Sequence, residues 1–201
     1  MQRAIRSILT ALFALLTASA GARGAQPAAP PPAEPLAAAA QEPTTPPPAT
    51  DVTAEDIQAT LKQEMASGKA VNDTSIRVVD VGGCNVGIGA VYRLTPATKG
   101  FSAAHDKVTE VYYMIEGAGT LVTGGTLVNP QRRQSSNEIV AQVNGPGVSG
   151  TTIQGGVSRR IKAGDMVIIP ANTPHWWSEI EGSSMKYVVV RVDPSRVVNL
   201  K

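Results

Sequence analysis

The sequence has few of the residues that usually carry chemistry. Its 201 residues include one cysteine and two histidines, and aromatic residues make up only 4%. A lone cysteine excludes an internal disulfide, so burial and hydrogen bonding must hold the fold. That residue, Cys84, sits in Val81-Gly-Gly-Cys-Asn85, a turn between two strand-like runs, and reads as a small packed side chain. Charge of one sign is also lacking. The formal net charge is +2, and removing Arg3 and Arg6 takes the basic count from 18 to 16, against 16 acidic residues. Nucleic-acid binding needs a clustered basic face. The pairs Arg132-Arg133 and Arg159-Arg160 read instead as solvated loop charges, and no nucleic-acid partner is expected.

Long apolar runs are absent too. Residues 8–16 (ILTALFALL) fall well short of the roughly 20 needed to span a bilayer. Preceded by Arg3 and Arg6 and followed by Ala18-Ser-Ala20 and Ala20-Gly-Ala22, this run reads as a signal peptide over residues 1–22. The expected mature protein is secreted or periplasmic, with no integral membrane anchor. Residues 23–50 are dominated by Pro and Ala, including Pro30-Pro-Pro32 and Pro46-Pro-Pro48. Such a stretch buries too little apolar surface to order itself and predicts a disordered tether.

Beyond residue 50 the chain carries firmer structural signals. Residues 51–70 predict one short amphipathic helix, with Thr53 as N-cap, Glu55 and Asp56 in the first turn, and Gly68 as a stop. Ile57, Leu61 and Met65 repeat every four residues and predict its buried face. From residue 75 the signal is β. Short Val-, Ile- and Tyr-rich runs at 75–81, 86–94, 110–116, 119–123, 165–170, 175–180 and 185–192 alternate with Gly, Asn and Pro. Residues 75–201 thus predict one all-β domain, a barrel or sandwich. Residues 124–160 read either as a strand pair with a long excursion or as a flap over a pocket.

Both histidines fall in two Gly-bounded segments. The first is Gly100-Phe-Ser-Ala-Ala-His105-Asp-Lys-Val-Thr-Glu110-Val-Tyr-Tyr-Met-Ile-Glu-Gly117, and the second is Gly164-Asp-Met-Val-Ile-Ile-Pro170-Ala-Asn172-Thr-Pro-His175. His105, Glu110 and His175 are ligand types that suit a divalent metal such as iron, manganese or zinc. If His105 closes one strand and Glu110 opens the next, the two can face one interior despite their odd spacing. Period two then sets Tyr112 and Met114 beside Glu110, and Trp177 beside His175.

These segments resemble the two motifs of the cupin superfamily, and the resemblance extends over residues 77–194. His105, Glu110 and Gly117 stand at the second-His, Glu and Gly positions of motif one; Gly164, Pro170 and His175 match motif two. Four positions depart. Ala103 replaces the first His, Asn172 the second Gly of motif two, Glu179 its trailing Asn, and Gly100 is displaced. The resemblance implies a cupin-like antiparallel β-barrel of jelly-roll type, and a homodimer formed through barrel faces. It also implies a metal-dependent oxygenase, isomerase or lyase acting on a small molecule. In that reading His105, Glu110 and His175 bind the metal, Tyr112 or Glu179 serves as acid or base, and Trp177 and Met114 line the cofactor pocket. A non-catalytic module binding a sugar or other small molecule is the alternative.

Overall fold

A computed structural model describes residues 48–201. The signal peptide and nearly all of the tether lie outside the described residues. Among the described residues no helix is long and apolar enough to cross a membrane.

The helix α1 (Ala54–Ala66) starts where Thr53 and Asp56 cap each other's backbone N–H groups, a reciprocal capping box. Its buried side runs Ile57, Leu61 and Glu64, not Met65, which is 41% exposed. The i, i+4, i+7 stripe rather than strict i+4 spacing meets the sheet, because a helix face drifts by about 40° over each four-residue step. α1 packs on β1 (Val71–Asp80) and β2 (Asn85–Leu94).

The rest is an antiparallel β-barrel. In chain order come β3 (Ser102–His105), β4 (Thr109–Thr123), β5 (Thr126–Val128), β6 (Gln131–Arg132), β7 (Gly147–Gly150), β8 (Thr152–Gln154), β9 (Val157–Lys162), β10 (Met166–Ile169) and β11 (His175–Asp193). The strand order β1-β2-β11-β3-β7-β6 continues through β4, which pairs with β9, β10 and β11. Pairs of expected short strands prove to be single long ones. Residues 110–116 and 119–123 join in β4, and 175–180 and 185–192 join in β11, because Gly117, Gly119 and Gly182 sit inside or beside ladders instead of ending them. At Gly117 a Cβ would meet the Met185 side chain at 2.8 Å, so glycine permits the close approach.

The segment at 124–160 combines both readings. β5 pairs β8, β6 pairs β7, and between them runs an excursion containing a π-helical turn, Val140–Asn144. Arg133, Asn137, Ile139 and Asn144 from this excursion border an interior cavity. One layer of the barrel is apolar, packing Met114, Leu121, Trp177, Met185, Tyr187 and Val189.

Candidate metal and ligand site

His105, Glu110 and His175 reach one place from three strands. His105 ends β3, Glu110 is the second residue of β4, and His175 opens β11. The return of the chain to His175 is fixed locally: the Asn172 N–H donates to the His105 carbonyl at 2.6 Å. Asn172 adopts φ 63°, a left-handed conformation that Asn tolerates better than most residues, so it serves where motif two has glycine.

The three ligating atoms lie within 4.8 Å of one another, and all three side chains are buried. Each histidine Nε2 stands 3.5 Å from the same oxygen, Glu110 Oε2. Two ligands about 2.1 Å from one zinc-like ion, at a tetrahedral angle, are about 3.4 Å apart. The two histidine–carboxylate spacings therefore match a divalent ion, and a small inward shift of the imidazoles would close the third. Ala103 pairs directly with His175 across β3 and β11, which sets the missing histidine's position against the site.

Two residues hold the carboxylate. Tyr112 donates its hydroxyl to Glu110 Oε2 at 2.8 Å, and Arg191 Nε donates to Oε1 at 2.9 Å. Arg191 also reaches Asp73 through Nη2 at 2.6 Å. Burial alone would raise the Glu110 carboxyl, but His105 and Arg191 beside it outweigh that and hold it well below the usual range. Burial and the Glu110 charge push the Tyr112 phenol well above its ordinary value. Tyr112 is thus a fixed donor, orienting the carboxylate, and not a proton acceptor near neutral pH.

The two histidines differ. His175 Nδ1 lies 3.0 Å from the Thr173 carbonyl, which calls for N–H there and leaves Nε2 with a lone pair for a ligand. Burial lowers its pKa to about 4, so the ring is neutral. His105 Nδ1 instead faces the Arg133 guanidinium at 2.5 Å. Guanidinium only donates, so Nδ1 accepts and the neutral ring carries its proton on Nε2. The donor set fits a metal in type, and His105 offers Nε2 as a ligand once Arg133 leaves Nδ1 and the ring proton moves there.

The cavity beside the cluster is about 300 Å³, bordered by Ala103, Tyr112, Arg93, Arg133 and the three ligand residues among others. A larger hollow of about 360 Å³ lies where residues 48–52 pass β1 and β2, but no histidine or glutamate borders it. Chemistry, not size, marks the site.

Three expected residues stand elsewhere. Met114 and Trp177 do point inward, but they belong to the apolar layer and do not border the cavity. Alternation sets the face of a side chain and not its depth along the strand. Glu179 is exposed and accepts from the Thr120 hydroxyl at 3.1 Å, so it is not an acid or base here. A register shift between Trp177 and Glu179 turns it outward. Arg133 corrects another expectation. Arg132 is exposed and pairs with Asp106, whereas Arg133, one residue on, turns inward. Arg159 and Arg160 lie on β9, not in a loop.

Arg191, Asp73, Arg93 and Arg133 are the site residues that sequence reasoning missed. A signal existed for Arg191: the inward phase Met185, Tyr187, Val189 continues to it. Gly89 marks a close approach in β2. A Cβ there would stand 2.7 Å from the Thr74 carbonyl oxygen and 3.3 Å from Arg191 Nη1, so glycine lets β1 pass closely and leaves room for the guanidinium.

No family model and no curated protein matches the chain. Several solved structures match at low identity. The cupin domain of Schizosaccharomyces pombe Cnp3 is 8% identical, over 62% of this chain and 66% of that one, with TM-score 0.40. An oxalate oxidase is 17% identical over 64% and 54%, TM-score 0.40. Peruvianin-I, described as a cysteine peptidase from Thevetia peruviana latex, is 14% identical over 80% and 91%, TM-score 0.43. The chain spans between half and two thirds of the length of the first two. Their descriptions differ widely, and at such identities and scores no activity carries over. The strand order and the meeting of both motif segments around one cavity make this an all-β, cupin-like barrel protein.

Proposed function

We propose that this chain is an exported metalloprotein in which His105, Glu110 and His175 hold a divalent transition metal, iron, manganese or zinc. It acts as an enzyme of the oxygenase, isomerase or lyase type on a small polar molecule in the adjoining cavity. The observation that carries this is the convergence of three buried ligand atoms from three strands. A bound ion would supply Lewis acidity toward an oxygen of the substrate. The chain's own residues do the positioning. Arg191 and Tyr112 fix both oxygens of Glu110, the Thr173 carbonyl aims His175 Nε2 at the cavity, and the apolar layer below excludes water.

Elemental analysis of the mature protein tests the reading. Near-stoichiometric metal, lost on His175→Ala, supports it; metal-free protein after growth and refolding with iron, manganese and zinc overturns it. Export is tested by intact mass: the mature N-terminus is expected between residues 21 and 26, and a retained Met1 would contradict it.

A second reading, a non-catalytic binding module for a sugar or other small molecule, is favoured by the Arg133 contact on His105 and by Ala103 at a ligand position. Metal-free protein that still binds a ligand would establish it.

A further inference from the structure

Three buried polar atoms without a hydrogen-bond partner belong to side chains that border the candidate cavity. They are Arg93 Nη1, Arg133 Nε and Asp73 Oδ1. Buried polar groups are nearly always paired, so three on side chains that border one cavity call for an explanation; each is sealed as the side chains stand and would meet a cavity ligand after a small shift. The contrast with Arg191 is informative, since that side chain is committed to Glu110 and Asp73. Arg93 makes one bond, from Nε to the Tyr187 hydroxyl at 2.9 Å. Arg133 donates from Nη1 to Asn144 Oδ1 at 2.8 Å and otherwise meets only His105 Nδ1, a weak use for a cationic donor. A guanidinium carries five N–H groups, so both arginines hold donors in reserve.

Charge points the same way. Arg93 and Arg133 border the cavity with Glu110 and Asp73, and the buried Arg191 behind those carboxylates brings the local sum to one positive charge before any metal is added. A divalent ion would make that excess three. Unpaired charge at this depth is costly, and an anion offsets it. Arginine forks match carboxylates in shape and charge. The remaining unpaired atom, Asp73 Oδ1, is an acceptor and suits a hydroxyl.

We propose that the cavity binds a short hydroxycarboxylate, with its carboxylate on Arg93 and Arg133 and a hydroxyl on Asp73. This rests on the reading of the same cavity as the functional site, but not on the metal. Engaging the carboxylate draws Arg133 off His105 Nδ1, which frees that ring to take the ligand tautomer. Anion and metal are then expected to favour each other's binding, by linkage.

The test is titration calorimetry on the full mature protein, with metal removed by chelation and with metal restored. The probes are lactate and malate, their deoxy counterparts propionate and succinate, inorganic phosphate, and glucose. Lactate or malate is expected to bind in both metal states, more tightly with metal, and at least tenfold more tightly than its deoxy counterpart. Arg93→Met and Arg133→Met should each weaken it more than tenfold while the thermal transition stays cooperative, and Arg133→Lys should recover part of the loss. Equal binding of the deoxy acid, preference for phosphate or glucose, or binding unchanged in both methionine variants would overturn the proposal. Should either variant fail to fold, the probe panel on the unmodified protein decides alone. Metal content is measured separately. Hydroxycarboxylate binding to a protein that takes no metal sinks the metalloprotein reading and leaves this one, and a metal-loaded protein that ignores every acid does the reverse.

Discussion

The same two strands build both halves of the barrel interior. Three successive inward cross-strand pairs of β4 and β11 run Glu110 with Arg191, Tyr112 with Val189, and Met114 with Tyr187. Over four residues the interior passes from a buried ion pair to an apolar layer. Tyr112 is the seam, its ring 4.6 Å from that of Tyr187 and its hydroxyl on Glu110. The apolar layer stabilises by area and tolerates exchange. The polar layer consists of charges that are costly unless each keeps its partner. One layer holds by area, the other by partnered charges.

Substitutions should separate the layers. The largest effect is expected for Arg191→Met, which leaves the buried Glu110 and the half-buried Asp73 without their cation; it should cost about 3–5 kcal/mol in urea unfolding. A loss under about 1 kcal/mol would mean the polar layer is not coupled to the fold. Met114→Ala should cost about 2–4 kcal/mol, equally with and without metal. His175→Ala should lower stability mainly in metal-supplemented protein, by the binding free energy forfeited. Equal losses for His175→Ala in both conditions would erase the distinction between the layers.

Next in size is Ala103→His, which places a fourth nitrogen beside His175 and should tighten metal retention about tenfold or more in chelator competition. Unchanged affinity in a folded protein would mean that position 103 does not face the ion.

Glu64 lies in neither layer. It lies on the buried face of α1, and burial, then the Asp73 charge, outweighs the weak hydrogen-bonding pull of Thr74 and Tyr92 and raises its pKa from 4.5 to about 7. The folded state thus holds this proton more tightly than the unfolded chain does. Its stabilisation is complete below about pH 4.5 and is lost as pH rises through about 7. Glu64→Gln should therefore gain about 1 kcal/mol over the parent at pH 8 and nothing at pH 4. A gain independent of pH would point to another cause. The smallest effect is expected for Glu179→Gln, within about 0.5 kcal/mol and with ligand binding unchanged, because the side chain is exposed.

The fold class and the three ligand residues were legible because they depend on local pattern. Turn residues mark strand ends, and two Gly-bounded segments each place a histidine at a strand terminus. Depth was not legible: Trp177 and Met114 have the right phase, but only the register of β4 against β11 puts them below the cavity. Nor was Glu179, because one register shift reverses alternation and leaves no mark in a Ser-Glu pair. The arginines were missed for a related reason. Charged residues in strands are normally solvated, and which of Arg132 and Arg133 turns inward depends on pairing between β6 and β7, some fifteen residues apart.

β11 has a temporal consequence. It is the last strand of the chain, and it pairs with β2, β3 and β4. Until its residues are available, β2 and β4 have no neighbour between them, and the barrel cannot close. Chains dominated by such distant pairings fold slowly, in milliseconds to seconds. His175 and Arg191 arrive with this strand, so an incomplete chain has neither the second imidazole nor the cation that keeps Glu110 in place. During synthesis the candidate site is therefore incomplete until β11 has emerged and paired.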